Sequence, residues 1–439
     1  MWLKKVLTAA VGILFIQALA HAEVIRAYKA ESGTGWLEKT SQGDVVLHLE
    51  GTWYDMGLEQ GKLMSDEIKQ TFACVNGLIH HYDPVVPSSW AIDLLHKYVY
   101  MKEDPYVLQE FKDEMKGVSD GSGAPLKDIA AFHSMIYLAS CSVVAAWGKA
   151  TRDGSLYYFR SLDYPLNFVD PKTGIAIQDL SMLVVYKPKG GLPFVSFSWP
   201  GFIGTVSGMS SQGIVVGVLT DASKHEQAAG VPMVFRLKQV LEQATNLDQA
   251  TQILSQKPFE GGYNLVAADA KVPDAAVVEI NARNVYVGKW NGPAESNHYR
   301  YQGKEYSYSP IEDLILRTNH PLSSELIKDK KGKIEAAKDD STSVARYNDL
   351  KSRISKDYGS LDLDKMNEMM RSHYQAMYQG PKDKKYQPTM HQVVYAPKSG
   401  DFIISFAHGN PYKESKFTIS AYNKPCHRYN FFQLLNAQP

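Results

Sequence analysis

Ser140-Cys141-Ser142-Val143-Val144-Ala145-Ala146-Trp147-Gly148 leads through Thr151-Arg152-Asp153-Gly154 into Leu156-Tyr157-Tyr158-Phe159-Arg160-Ser161-Leu162-Asp163-Tyr164. The first run has the β-branched and apolar content of a buried strand, and so does the last. Asp153-Gly154 between them favours a tight hairpin turn. The stretch therefore predicts an antiparallel hairpin, and it marks a change in the character of the chain. Before it, helical patterns dominate: through Ile68 to about Tyr82, then near 89–100, 106–118 and 125–139, the last apolar at Ile129, Phe132, Ile136 and Tyr137. One early strand is expected at 44–50. After it, strands are expected near 180–186, 193–199, 213–219, 264–268, 275–280, 284–290, 390–396 and 402–406, with helices near 233–244 and 247–255. Strands gathered in the middle, with helices before and between, predict an α+β fold of four layers, αββα. Two antiparallel sheets would lie face to face, sandwiched by helices, in one large domain.

The chain has 439 residues, 44% hydrophobic and 21% charged, with a formal net charge of zero. This is ordinary globular composition. It lacks the basic stripe of a nucleic-acid binder, so no nucleic acid is expected as a partner. Lys4 and Lys5 precede an apolar run from Val6 to Leu19, and Ala20-His21-Ala22 has the small-x-small pattern of a cleavage site. That is the layout of a signal peptide over 1–22. The mature chain is expected to begin near Glu23, to be exported to the periplasm or medium, and to carry no membrane span. The polar run 328–340 reads as a solvated loop or short exposed helix.

Three cysteines, Cys74, Cys141 and Cys426, are too few for a disulfide scaffold. Sequence leaves open whether Cys74 and Cys426 pair or stay free. Cys141 opens the first hairpin strand, and the hairpin returns Arg160 and Asp163 to its side. A guanidinium there favours a thiolate. If the Ser140–Cys141 bond is cut, the new α-amino group, with a pKa of about 7.7–8.0, lies on the same residue as the thiol and serves as its base. The structural alternative is a buried, inert cysteine beside an ordinary ion pair. Gly117-Val-Ser-Asp-Gly121 formally matches the G-x-S-x-G elbow, but that motif needs a preceding strand and the residues before it read as helix. His80-His81 is the one adjacent histidine pair, and no H-E-x-x-H or paired C-x-x-C occurs, so no metal site is expected. No cofactor is expected either. Polar residues set in strand or loop signals remain: Asn264 in Gly261-Gly-Tyr-Asn264, the pair Asn319-His320, and Arg346. An asparagine opening a strand can donate its amide N–H to a developing oxyanion, worth about 3–4 kcal/mol when well aimed.

Taken in order, Gly51-Thr-Trp-Tyr-Asp-Met-Gly57 with Gly61, Cys141 with Trp147-Gly148, Arg160-Ser-Leu-Asp163, Pro200-Gly201 with Ser207-Gly208-Met209, Asn264 with Asp269, Thr318-Asn319-His320 and Thr389-Met-His391 resemble the acyl-coenzyme A:6-aminopenicillanic acid acyltransferase family. These are autoproteolytic cysteine N-terminal-nucleophile proteins, related to choloylglycine hydrolases, penicillin V acylases and acid ceramidase-like amidases. The resemblance covers about Gly51 to Gly409. It implies the αββα fold and cleavage of linear non-peptide amide C–N bonds in N-acyl compounds. It implies Cys141 as nucleophile, freed by self-cleavage after Ser140, and Arg160 and Asp163 as the pair supporting the thiol and the new amine. It implies Asn264 in the oxyanion hole and Arg346 as the late active-site arginine. It assigns no role to Asn319 or His320. Self-cleavage would leave a mainly helical small chain, 23–140, and a catalytic large chain, 141–439, expected to stay associated. The substrate would be a small N-acyl or lipid-like molecule. Two departures stand out. Ser140 replaces the glycine common before the nucleophile. Thr220 stands where bile-salt hydrolases carry asparagine, so bile-salt specificity is not implied. Acyl transfer, lipid deacylation of ceramidase or phospholipase B type, and an inactive exported binding protein are the alternative readings.

Overall fold

The computed structural model describes residues 23–85, 87–135, 140–332, 334, 343–378 and 388–439. The expected signal peptide, Ile136 and Tyr137, and most of the polar run after Lys331 lie outside them. Strands are numbered here in chain order. The larger sheet has ten, in the spatial order β1 (Glu23–Lys29), β2 (Thr34–Lys39), β3 (Val45–Gly51), β6 (Met182–Pro188), β7 (Phe194–Ser198), β8 (Ser207–Ser210), β9 (Ile214–Thr220), β10 (Tyr263–Asp269), β11 (Asp274–Ile280) and β12 (Val285–Gly288). The smaller has six, in the order β15 (Leu314–Arg317), β4 (Ser140–Gly148), β5 (Gly154–Asp163), β16 (Thr389–Ala396), β17 (Asp401–Phe406) and β18 (His427–Asn430). A two-stranded ribbon, β13 (His298–Tyr301) with β14 (Lys304–Ser307), stands apart. The pairing is antiparallel except at β3 with β6, which run parallel. That pairing needs a long crossover, and the early helices and the β4–β5 hairpin lie within it.

Alternation along β4 shows why the fold has four layers. Val143, Ala145 and Trp147 belong to the core shared with the larger sheet. Val144 and Ala146 belong to a second core with Tyr347, Leu350, Met370 and Tyr374, under the helices Ser343–Asp357 and Leu363–Met377. Each strand residue thus faces one sheet or one helical layer. The sheets meet tightly: the Tyr158 hydroxyl donates to the Val266 carbonyl at 2.9 Å, and a Cβ on Gly217 would sit 2.8 Å from that hydroxyl. The helices Trp53–Leu63, Met233–Gln243 and Leu247–Leu254 cover the far face of the larger sheet. The fold is α+β, αββα.

Helix Trp53–Leu63 starts where Thr52 accepts the Asp55 N–H, with Asp55 adding charge at the positive helix end. It packs on helix Gln109–Ser122 through two glycine pairs four residues apart. A Cβ on Gly57 would lie 2.0 Å from the Glu114 carbonyl oxygen, and one on Gly117 would lie 2.2 Å from that of Tyr54. Gly61 and Gly121 make the next such contact. The G-x-S-x-G match is therefore a seam of close backbone approach inside a helix, with no strand before it. Cys74 and Cys426 are both free.

A buried ion cluster joins the sheets at their edge. Arg317 on β15 donates to Glu279 on β11 (3.0 Å) and to Glu295 (2.5 Å), and Glu279 also accepts the N–H groups of Leu322 and Ser323. Arg317→Met would leave two desolvated carboxylates without their cation. We expect a loss of about 3–5 kcal/mol, read by urea denaturation. Adding Glu295→Gln should recover part of it; a variant as stable as the wild type would refute this role.

Candidate active site

Register places the hairpin residues. Cys141 on β4 sits opposite Leu162 on β5, and Ser140 opposite Asp163. Cys141 is almost wholly buried and faces the larger sheet. Arg160, on that same face, brings Nη2 to 3.4 Å from Cys141 Sγ. The same nitrogen donates to the Val218 carbonyl (3.2 Å), and Nη1 lies 3.4 Å from His391 Nε2. One carbonyl and one imidazole thus fix the guanidinium at the sulfur. Asp163 accepts the Thr389 hydroxyl (2.8 Å) and the Tyr374 hydroxyl (3.0 Å), and stands 3.9 Å from Arg346 Nη1.

Arg346, on helix Ser343–Asp357, reaches into β4 from the helical layer. Nη1 donates to the Cys141 carbonyl (2.6 Å) and to Ser142 Oγ (3.1 Å), while Nη2 donates to Asn319 Oδ1 (2.7 Å). Asn319 Oδ1 also accepts the Cys141 backbone N–H (2.7 Å), and its Nδ2 donates to the Thr220 carbonyl (2.7 Å). The nitrogen that would become the α-amino group therefore already has a braced partner. Sequence reasoning singled out Asn319, and Thr389 within the Thr389-Met-His391 motif, without a role for either, and missed Tyr374. Asn264 donates from Nδ2 to the carbonyls of Thr318 (2.9 Å) and His320 (3.0 Å). In this conformation it pins the loop carrying Asn319, and must release one bond to donate elsewhere.

Burial raises the Cys141 thiol pKa, with Arg160 pulling the other way, so the thiol is protonated at neutral pH in the uncut chain. Burial also raises Asp163, to about 6, against the pull of Arg346, Thr389 and Tyr374. Burial lowers His391, with Arg160 reinforcing it, and keeps that imidazole neutral. The sign for stability follows. Asp163 binds its proton more tightly folded than unfolded, so its contribution is full below about pH 4 and is lost as pH rises through about 6. In an uncleavable Cys141→Ala background, adding Asp163→Asn should flatten that segment of the stability curve by about 2–3 kcal/mol. Melting curves from pH 4 to 7 check it; equal slopes would contradict it.

Beside Leu162, the register partner of Cys141, lies a mainly apolar pocket with about 30 Å³ of free interior space. Phe132, Tyr164, Phe168, Trp199, Phe202 and Met390 help line it. Its lining is apolar and aromatic, and its free space is well below the roughly 300 Å³ of a typical ligand pocket.

Residues 174–411 match the sequence model of the acyl-coenzyme A:6-aminopenicillanic acid acyl-transferase family. That span holds Asn264, Asn319 and Arg346; Cys141, Arg160 and Asp163 precede it. An uncharacterized protein of Archaeoglobus fulgidus is 26% identical over 372 residues, 76% of this chain and 59% of that protein. Protein dcd1A of Dictyostelium discoideum is 30% identical over 230 residues, 47% of this chain and 51% of its own. The chain thus spans between half and three fifths of the length of these relatives. Among solved structures, the Caenorhabditis elegans N-acylethanolamine-hydrolyzing acid amidase ortholog is similar at TM-score 0.38 and 14% identity, over 58% of this chain and 93% of that one. Penicillin V acylase from Agrobacterium tumefaciens is similar at TM-score 0.39 and 15% identity, over 62% and 84%. At these scores the architecture rests on the sheet order and layers of the chain itself.

Proposed function

The chain belongs to the acyl-coenzyme A:6-aminopenicillanic acid acyl-transferase family, and from that premise we propose that it is an exported, self-cleaving cysteine amidohydrolase acting on N-acyl compounds. The observation that carries the proposal is the paired bracing of one residue. Arg160 lies 3.4 Å from the Cys141 sulfur, and Asn319, held by Arg346, lies 2.7 Å from its nitrogen.

In the proposed maturation, Cys141 Sγ attacks the Ser140 carbonyl carbon. The C–N bond breaks, the thiol proton ends on the Cys141 nitrogen, and a thioester joins Ser140 to the sulfur. Water hydrolyses it, leaving a Ser140 carboxylate and a free Cys141 amine. In turnover that amine takes the thiol proton as Sγ attacks the substrate amide. Arg160 stabilises the sulfur as it gains charge. Asn264 and a backbone N–H would donate to the oxyanion, with Asn264 turning from its loop carbonyls. The leaving amine departs with a proton, and water releases the acyl acid from the thioester. Hydrolysis is favoured over acyl transfer because an exported protein meets little acyl-coenzyme A.

A panel of N-acyl amides, their O-acyl ester counterparts and amine acceptors tests the reaction class. Acid release from the amides, with no product on added amines, is the expected result. Ester cleavage without amide cleavage would support the lipid-deacylase reading instead, and the apolar pocket is the observation in its favour.

A further inference from the structure

The proposed chemistry leaves one buried hydroxyl without a task. Tyr374, on helix Leu363–Met377, reaches β4 and β5 from the helical layer and is wholly buried. Register explains what it meets there. Ser142 lies opposite Ser161, so the two serines share the helical face, and Asp163, two residues past Ser161, lies on that face as well. The Cys141 sulfur points the other way, to Arg160 and the larger sheet. The phenol oxygen lies 2.9 Å from Ser142 Oγ and 3.0 Å from Asp163 Oδ2, and it also contacts Ser161 Oγ.

A phenol has one proton, and this one faces two acceptors. Ser142 Oγ already receives a charged donor, Arg346 Nη1, at 3.1 Å. A carboxylate is the stronger acceptor, since hydrogen bonds to an ionised group are roughly twice as strong as neutral ones. The proton therefore goes to Asp163 whenever Asp163 is ionised, and turns to Ser142 Oγ when Asp163 is protonated. Ser161 Oγ accepts the Ser142 N–H (3.2 Å), so its own proton goes to the phenol oxygen and makes the phenol a better donor. Packing holds the ring in this place. Tyr378 and Tyr422 lie beside it, and so does His373, which is paired with Asp349.

The other groups that face Asp163 are Arg346 from the helical layer, Arg160 on its own strand, the Cys141 thiol on β4 and the Thr389 hydroxyl on β16. Burial pushes this carboxyl up, to about 6, so the donors that reach it decide its charge near neutral pH. We propose that Tyr374 is a positioning residue, whose proton holds Asp163 as an oriented carboxylate across the hairpin from the Ser140–Cys141 bond. Its part in self-cleavage and turnover rests on the acylase reading; its hold on Asp163 does not.

NMR of isotope-labelled aspartate carboxyls in the uncut Cys141→Ala chain tests that hold, with the Asp163 signal assigned by its loss on adding Asp163→Asn. Tyr374→Phe should raise the Asp163 midpoint by about one pH unit. The direction is upward because the bond lost from the charged form is the stronger one. Ser161→Ala should raise it by less, and decides alone if Tyr374→Phe does not fold. A midpoint that stays or falls would overturn the proposal. With Cys141 in place and the carboxylate as the working form, the loss of self-cleavage rate in Tyr374→Phe should be about tenfold larger at pH 5 than at pH 8. An equal loss at both would make Tyr374 a packing residue and overturn the positioning role. A wild-type chain that neither cuts itself nor releases acid at any pH, while the midpoint moves as expected, would instead sink the acylase reading and leave the hold on Asp163 standing.

Discussion

Cys141→Ala is expected to yield one uncut chain with no acylase activity. The substitution removes the sulfur that would attack Ser140 and, with it, the nucleophile for every later turnover. Removal of a nucleophile costs on the order of 10⁴-fold or more. The fold should persist, because alanine fits the buried position and Arg160 keeps its bonds to the Val218 carbonyl and to His391. A denaturing gel together with an acid-release assay reads both effects. A Cys141→Ala protein that still appears as two chains, or still releases acid, would place the chemistry elsewhere.

Arg346→Leu is the second large effect. This guanidinium joins the Cys141 carbonyl, Ser142 Oγ and Asn319 Oδ1. Its forked geometry holds two acceptors that an ammonium cannot hold together. Without it Asn319 loses its brace, the Cys141 carbonyl loses a charged donor, and the carboxylate of Asp163 loses its nearest cation. We expect self-cleavage to slow by about 10²–10³-fold, and Arg346→Lys to restore only part of the rate. A time course of chain cleavage measures it. Full rescue by lysine would show that charge alone, and not the fork, does the positioning.

The hairpin was legible in sequence for a physical reason. Two strand-like runs flank the Asp153-Gly154 turn signal, so an antiparallel return was expected; the structure joins them by the five residues 149–153 rather than by a tight two-residue turn, with a register shift between Ala146 and Gly148, and still sets Cys141 opposite Leu162 and Ser140 opposite Asp163. Arg346 was legible only by resemblance, because its contact with β4 spans 205 residues and no local pattern encodes it. Tyr374 was invisible for the same reason, and Thr389 was legible only within the Thr389-Met-His391 motif of the resemblance, without a role. Each supplies a lone hydroxyl from an element whose placement depends on the whole sheet order. Asn319 carried a weak signal, a polar pair just after a strand, but its partner is the backbone nitrogen of Cys141, and backbone partners leave no sequence mark. The strands β1 and β2 and the parallel β3–β6 pairing also escaped notice. The outermost strand, β1, is mostly exposed and lacks the apolar alternation of central ones, and a parallel pair carries no turn to announce it. Gly117 and Gly121 taught the opposite lesson: their motif suggested chemistry, while their spacing serves helix contact.

The account turns on whether Cys141 becomes a chain terminus. An intact-mass spectrum of active protein, with the sequence of the large chain's first residues, answers this. Two chains meeting between Ser140 and Cys141, the larger starting with a free cysteine amine, are predicted. A single chain running unbroken through position 141, in a preparation that cleaves N-acyl substrate, would contradict it.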